Sequence, residues 1–270
     1  LKGIITIYAI AKAQHKKFRI YFVSPFDLRN YIEPHLYDWS ISDNEIFFSY
    51  PKSKPIIAYG EINRTYRLMK HRNGQIHFYY GYNSIKDVNR KYGTHFQWGE
   101  LYHELFKPTP YLQNHINSLL NEIGKYYIVF HTRFLNLLGD KNETAINPEA
   151  SQEQKNILQK AAVNKIINMS KDFNQNREHK CRIMLASDSM TFINYAIENI
   201  PDVFIVPGIA KHIDTANETN DSENLKVFAD YYLIASAQKV FSLVGKGMWE
   251  SAFPQYAALI GNTPFERFYF

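Results

Sequence analysis

A histidine and an arginine, separated by one residue, follow a run of apolar residues in Tyr126–Asp140, which reads YYIVFHTRFLNLLGD. The planar guanidinium of Arg133 can hold a phosphate through two parallel hydrogen bonds, which a lysine cannot reproduce. His131 can donate a hydrogen bond to the same anion or hold the arginine in place. The alternative is that both residues only cap the strand and pair with local carboxylates. The spacing alone is compatible with both interpretations, an anion site at the end of a buried strand and a strand cap.

Three later strand candidates also end in polar residues or glycine. They are followed by Ser187-Asp188-Ser189, by Pro207-Gly208 and by Gly245-Lys246-Gly247. Ligands of open α/β sheets bind just beyond the carboxyl ends of the strands. We therefore expect these residues to gather at one edge of a sheet. A capping role at the following helix is the alternative for Asp188 or Ser189.

The elements that must position these residues alternate between strand and helix in the second half of the chain. Such alternation predicts a parallel sheet covered on both faces, in an α/β fold. The predicted strands are Ile128–Phe130, Cys181–Ala186, Val203–Val206 and Val240–Val244, and the predicted helices are Gln152–Phe173, Met190–Asn199, Ser222–Ala237 and Met248–Leu259.

The first half is less regular. It opens on an amphipathic helix and continues into an aromatic strand candidate at Phe18–Val23. The segments KPIIAYG and QIHFYYGY are further strand candidates, and HFQWGELYHELF and PTPYLQNHINSLLNEIG are helix candidates. The last two separate the halves, so we expect domains at 1–122 and 123–270.

Composition restricts the class of protein. The chain has 270 residues, of which 45% are hydrophobic and 21% charged, which is typical of a folded globular protein. The net charge of +5 favours anionic partners, but no run of basic residues points to nucleic acid. The lone Cys181 indicates a reducing, cytoplasmic setting. No apolar run approaches the ~20 residues that cross a bilayer, although peripheral association with the inner membrane face is compatible with the sequence.

The order of three motifs resembles a known family. His131-Thr132-Arg133 followed by Gly139-Asp140 resembles the His-x-Arg…Gly-Asp signature of the GT-B fucosyltransferases, the group of alpha-1,6-, nodulation-factor and protein O-fucosyltransferases. MLASDSMTFINYA and FADYYLIASAQKVFSLVGKGMWESAFPQYAALIG resemble two later motifs of that family. The family usually places Gly-Asp or Thr-Asp directly behind the arginine, whereas Phe134–Leu138 intervene here, and we interpret this insertion as the mark of a separate bacterial branch. The family's glycine-rich turn is expected before Leu1.

The resemblance implies a GT-B fold, with two Rossmann-like domains of largely parallel sheets facing a cleft. Residues 1–122 would form the acceptor-side domain and 123–270 the nucleotide-sugar domain. The implied reaction is inverting transfer of L-fucose from GDP-fucose to a hydroxyl of a glycan or lipid-linked sugar.

The resemblance also implies roles for single residues. Arg133 would hold the departing diphosphate, together with Ser251 and the backbone amides at the start of the Met248–Leu259 helix. Asp188, with Ser187 or Ser189, would accept hydrogen bonds from guanine or ribose. The expected donor-binding set is completed by three further residues: His131, Gly247 and Phe253.

A carboxylate must take the proton of the acceptor hydroxyl. Glu143 is the first candidate for this base and Asp140 the second, because both lie in the loop after Arg133. The alternative is that this loop is merely acidic and solvated.

No Asp-x-Asp occurs in the sequence, so we expect metal-independent chemistry with no cofactor beyond the GDP-fucose donor. The spacing around Gly245 is not that of a P-loop, and no Gly-x-Ser-x-Gly elbow is present, which argues against an ATPase and a hydrolase. Two alternatives stay open: a GT-B transferase for another nucleotide sugar, and a non-catalytic nucleotide- or glycan-binding module of the same fold.

Overall fold

The structure is a computed structural model that describes residues 1–58, 60, 62–69, 74–140, 148–209 and 221–270. The chain forms two compact units. The first unit consists of Leu1–Val23 and Ile32–Lys107, and the second of Ser24–Tyr31 and Pro108–Phe270. No helix among the described residues is both long and apolar enough to cross a membrane.

The first unit combines helices with two small sheets. β1 pairs with β4, and β2 runs parallel to β3 with Ser53 opposite Gln75. The bounds are α1 Lys2–Ala13, β1 Ile32–Pro34, β2 Ser53–Ala58, α2 Ile62–Leu68, β3 Gln75–Tyr80, α3 Ile85–Tyr92, α4 Trp98–Leu105 and β4 Phe106–Pro108.

The prediction of a strand at Phe18–Val23 is wrong. The segment has one backbone hydrogen bond of strand type, from the Ile20 amide to the Trp39 carbonyl at 2.9 Å, and belongs to no sheet of the described residues. Phe18 instead belongs to a cluster of aromatic side chains. Its ring centroid lies 5.2 Å from that of Tyr8 and 6.4 Å from that of Tyr37. Aromatic residues favour strands only where a partner strand is available.

The second unit carries the alternation that the sequence predicts. Its bounds are α5 Pro110–Ile123, β5 Tyr127–Thr132, α6 Gln152–Asn174, β6 Arg182–Ser187, α7 Met190–Asn199, α8 Asp221–Ala235, β7 Val240–Val244, α9 Phe253–Gly261 and β8 Phe265–Tyr269. Thr109 caps α5, and Ser151 forms a capping box with Gln154 at α6.

Three details differ from the prediction. The strand expected at Val203–Val206 is reduced to a single bridge between Phe204 and Met184. The last helix begins at Phe253 and not at Met248. β8 was not predicted, because its aromatic residues alternate poorly with polar ones.

The second unit's described residues form a parallel sheet in the order β6-β5-β7-β8. From β5 the chain first adds β6 on one side, and later returns to add β7 on the other. The order of strands therefore reverses between β5 and β7, which makes this pair the topological switch point where ligands of such sheets bind.

β5 is buried along its whole length, and its residues alternate between the two faces of the sheet. On one face Phe130 stacks on Phe241, with ring centroids 5.1 Å apart, inside the main apolar core. On the other face the Tyr127 hydroxyl donates to the Leu233 carbonyl in α8. His131 shares that second face. The sheet is thereby packed on both faces up to the carboxyl end of β5.

Candidate functional site

Arg133 is half-buried and lies directly after β5, at the switch point. Its carbonyl accepts a hydrogen bond of 3.0 Å from the amide of Trp249. Trp249 belongs to the segment between β7 and α9, residues 245–252, which we call the β7–α9 loop. The backbone bond thus joins the end of β5 to the loop that follows β7 and places Arg133 beside that loop.

The β7–α9 loop opens with a tight turn. The Met248 amide donates to the Gly245 carbonyl at 3.0 Å, and Gly247 takes a φ of 82°, which side-chain-bearing residues rarely adopt. The buried hydroxyl of Ser251 accepts the Phe253 amide at 3.2 Å. The anion-binding helix start expected at Met248 is therefore wrong in position, because the two-glycine turn interrupts the helix and its first turn lies at Phe253.

His131 is a buried, neutral imidazole. Burial, followed by the positive charges of Arg133 and Arg267, lowers the pKa of His131 to about 3. Its ring lies 6.0 Å from that of Phe253, which in turn packs 5.2 Å from the ring of Tyr231. At neutral pH the histidine can therefore contribute a hydrogen bond and shape, whereas the positive charge of the site comes from arginine.

Asp188 holds the chain directly after Arg133. Its two carboxylate oxygens accept the amides of Phe134 and Leu135 at 2.8 and 2.9 Å. Burial raises the pKa of Asp188 to about 6, against the opposing effect of those amides and of the Arg133 charge. Asp188 thus positions the backbone of the two residues that follow Arg133. Its expected role towards guanine or ribose stays a prediction.

Ser187 and Ser189 link β5, β6 and α7. The Ser187 hydroxyl accepts from the Thr132 hydroxyl at 2.9 Å and from the Ser189 amide at 3.2 Å. The Ser189 side chain caps α7 by accepting the Phe192 amide at 3.0 Å. The capping alternative is thus what the structure shows for Ser189, and its donor-binding role stays a prediction.

Asp140 lies at the amino terminus of α7. One of its oxygens accepts both the amide and the hydroxyl of Thr191, each at 3.0 Å, and the other accepts the hydroxyl of Ser189. A carboxylate is stabilised at this helix end by the exposed amides and the helix dipole. Glu143, the other expected base, lies outside the described residues.

Two charged groups of this unit were not predicted. Arg267, in β8, donates from Nη1 to Glu250 and from Nη2 to the Ser251 carbonyl, both at 3.0 Å. In α8, Lys226 is fully buried and pairs with Asp230 at 3.1 Å. The only sequence signal for the α8 pair was its four-residue spacing within a helix.

In the described part of the chain, no three His, Cys, Asp or Glu residues form a group that could hold a metal ion. The metal-independent chemistry expected above stays a prediction. What the site offers is an arginine, the β7–α9 loop and buried hydroxyls at the ends of two neighbouring parallel strands, an arrangement suited to an anion.

No protein-family model matches the chain, and no curated protein matches it. Solved structures do share its fold. NodZ alpha-1,6-fucosyltransferase co-crystallised with GDP aligns with 95% of this chain and 86% of its own, with a TM-score of 0.57 and 14% identity. Fucosyltransferase NodZ from Bradyrhizobium aligns with 95% and 87%, with the same score and identity.

POFUT1 in complex with GDP aligns with 99% of this chain and 94% of its own, with a TM-score of 0.51 and 9% identity. At these identities the similarity concerns the fold. The chain has the α/β, GT-B type fold of these fucosyltransferases, which confirms the predicted fold class.

Proposed function

We propose that the protein is a glycosyltransferase that transfers L-fucose from GDP-fucose to a hydroxyl of a glycan or lipid-linked sugar, with inversion and without a metal ion. The observation that carries the proposal is the joining of Arg133 to the β7–α9 loop at the switch point of the parallel sheet. The fold shared with fucosyltransferases that were crystallised with GDP supports the choice of donor. The acceptor is assigned to residues 1–122 and the reaction to the cytoplasm.

In this proposal Arg133 binds the diphosphate of the donor. As the bond between the sugar and the diphosphate breaks, negative charge grows on the leaving oxygen. A fixed guanidinium in a water-poor site stabilises that charge without having to reorganise. The Ser251 hydroxyl and the turn at Gly247 complete the cradle, and neutral His131 and the ring of Phe253 form its wall.

The acceptor hydroxyl attacks the sugar from the face opposite the diphosphate, so that a new glycosidic bond forms as the old one breaks. The hydroxyl proton passes to a carboxylate, and GDP departs with the electron pair. We assign this carboxylate to Glu143 and not to Asp140. The three hydrogen bonds that Asp140 accepts at α7 support this choice, since they leave it poorly placed to receive a further proton.

A nucleotide-binding module without transferase activity is the second candidate. It is favoured by the same engagement of Asp140, which removes one of the two carboxylates in the sequence that follow Arg133 closely. The two candidates differ in turnover and not in nucleotide binding.

Calorimetric titration with GDP, GMP and UDP tests the donor. We expect GDP to bind more tightly than UDP, and Arg133→Ala to weaken GDP by at least about tenfold while changing GMP much less, because a charge-assisted contact to the outer phosphate is lost. Arg182→Ala is the control, since Arg182 forms an ion pair with Asp202 and a bond to a backbone carbonyl but lies at the amino end of β6, whereas Arg133 follows the carboxyl end of β5. An equal loss for GDP and GMP would contradict the role of Arg133.

A second measurement separates enzyme from binding module. We expect Glu143→Gln to abolish fucose transfer, because the amide cannot accept the proton, while the affinity for GDP stays that of the unchanged protein. Release of GDP from GDP-fucose in the presence of glycan acceptors is the readout. An active Glu143→Gln variant would exclude this residue as the base, and GDP binding without any turnover in the unchanged protein would favour the module.

A further inference from the structure

We infer that Arg267 is a positioning residue for the donor diphosphate, because it holds the β7–α9 loop in place and neutralises a carboxylate within that loop. The inference rests on the proposed function, and it adds a second arginine whose effect on the diphosphate passes through the loop.

The contacts of Arg267 converge on two consecutive loop residues. Its Nη1 forms an ion pair of 3.0 Å with Glu250, and its Nη2 donates to the carbonyl of Ser251 at 3.0 Å. The Tyr269 hydroxyl donates to the other oxygen of Glu250 at 2.9 Å. Because Ser251 is the residue whose hydroxyl is assigned to the diphosphate, the guanidinium fixes the backbone from which that hydroxyl projects.

The register of the sheet places Arg267 on the face of the proposed site. His131 in β5 is opposite Ser242 in β7, and Ser242 is opposite Arg267 in β8. Residues in register across a parallel sheet point to the same face, and two strand spacings amount to about 10 Å. The positive charge of Arg267 accordingly contributes to the lowered pKa of His131.

Loss of Arg267 would act on the diphosphate in two ways. The Ser251 carbonyl would lose its donor, so the loop would have to be ordered again each time a nucleotide binds. Glu250, whose side chain is about half exposed, would keep a negative charge with its cationic partner gone, beside a site for a polyanion. Both effects weaken a ligand with an outer phosphate more than one without it.

The experiment compares GDP and GMP affinities by calorimetry for the unchanged protein, Arg267→Ala, Arg267→Lys and the double variant Arg267→Ala/Glu250→Gln. Urea unfolding of each variant confirms that it is folded. Arg182→Ala again serves as the control at the opposite edge of the sheet.

We expect Arg267→Ala to weaken GDP by about tenfold or more and GMP by clearly less. Arg267→Lys, which keeps the charge but not the fork, should fall between Arg267→Ala and the unchanged protein. The double variant should bind GDP more tightly than Arg267→Ala alone, because the unpaired carboxylate is gone. Arg182→Ala should match the unchanged protein for both nucleotides.

Equal losses for GDP and GMP in Arg267→Ala would overturn the inference, as would a loss that Arg182→Ala reproduces. Failure of the double variant to recover any GDP affinity would overturn the neutralising role of Arg267. If the unchanged protein does not bind GDP at all, the proposed function fails, whereas normal GDP binding with no effect of Arg267→Ala removes this inference alone.

Discussion

Two titratable side chains at the ends of β5 and β6 are buried, and burial favours the uncharged form of each. It lowers the pKa of His131 to about 3 and raises that of Asp188 to about 6. At neutral pH the histidine is therefore neutral and the aspartate mostly ionised. Asp188 keeps its charge because two backbone amides and the nearby Arg133 offset part of the cost of burial.

The raised pKa of Asp188 predicts that the difference in stability between the unchanged protein and Asp188→Asn depends on pH. The native state of the unchanged protein holds the Asp188 proton more tightly than the unfolded state between about pH 4 and pH 6. This contribution to the free energy of unfolding is full below about pH 4 and is lost as the pH rises through about 6. The stability of the unchanged protein relative to Asp188→Asn should therefore fall over this range.

Urea unfolding of both proteins at several pH values measures the effect. His131 is present in both, so its opposite contribution, which weakens the protein as pH falls below about 6.5, cancels in the difference. A pH-independent difference would show that Asp188 titrates as it does in the unfolded chain.

At the residue scale, the sequence allowed Arg133, His131 and the Ser187–Ser189 triplet to be placed at strand ends, because residue type and strand pattern are both local. The sequence did not reveal which carboxylate oxygens already accept hydrogen bonds from other parts of the chain. Asp188 and Asp140 look alike in a sequence, but whether a carboxylate meets backbone amides depends on the path of a loop, which follows from packing that no local pattern encodes.

At the scale of single elements, α7 depends on a carboxylate supplied from outside it. Asp140→Asn should lower the free energy of unfolding by about 1–2 kcal/mol, because the amide cannot accept all three hydrogen bonds and carries no charge to complement the helix dipole. Transfer activity per folded molecule should persist. Asp202→Asn, which removes a largely exposed partner of Arg182, should cost less than about 1 kcal/mol.

Chemical denaturation, and release of GDP from GDP-fucose in the presence of glycan acceptors, measured on the same samples, decide between the roles of Asp140. Unchanged stability together with lost transfer would make Asp140 the base in place of Glu143.

The buried pair in α8 gives a second prediction for an element. Lys226 donates to Asp230 at 3.1 Å and to the Val206 carbonyl at 2.8 Å. Lys226→Met should cost about 3–5 kcal/mol, because it leaves a buried carboxylate without its cation, whereas Lys226→Met/Asp230→Leu should recover much of the loss. Thermal and urea unfolding measure both. If the double variant is as unstable as Lys226→Met, the loss of stability comes from altered packing and not from the unpaired carboxylate.

Predictability at this scale followed the strength of the apolar pattern. β5 and β7 are mostly apolar runs of strand-favouring residues, and they were predicted within a few residues. The bridge at Phe204 was not predicted, because it depends on the neighbouring strand β6. The start of α9 was not predicted either, because it depends on the preceding turn, which contains two glycines. β8 pairs only with β7 in the described sheet, and its aromatic residues do not alternate regularly with polar ones as in a half-buried strand.

At the scale of the whole molecule, the second unit is not continuous in the sequence. Its Ser24–Tyr31 segment is followed by residues of the first unit before the chain returns at Pro108. Tyr31 stacks on Phe228 of α8 with ring centroids 4.9 Å apart, and its hydroxyl donates to Asp221, which lies 190 positions along the chain. Sequence patterns report contacts within an element and its neighbours, so an association over this distance could not be predicted.

This association predicts that a residue near the amino terminus controls the stability of the second unit. Tyr31 is almost fully buried, so Tyr31→Ala should destabilise the second unit by about 3–5 kcal/mol. Tyr31→Phe keeps the ring on Phe228 and loses the hydrogen bonds of the hydroxyl with Asp221 and Asn224, and should cost about 1 kcal/mol. Hydrogen exchange of peptides covering β5 and β7 measures the effect where the donor is proposed to bind. If Tyr31→Ala leaves their protection unchanged, or if Tyr31→Phe lowers it as much, the ring stack is not what anchors this segment to α8.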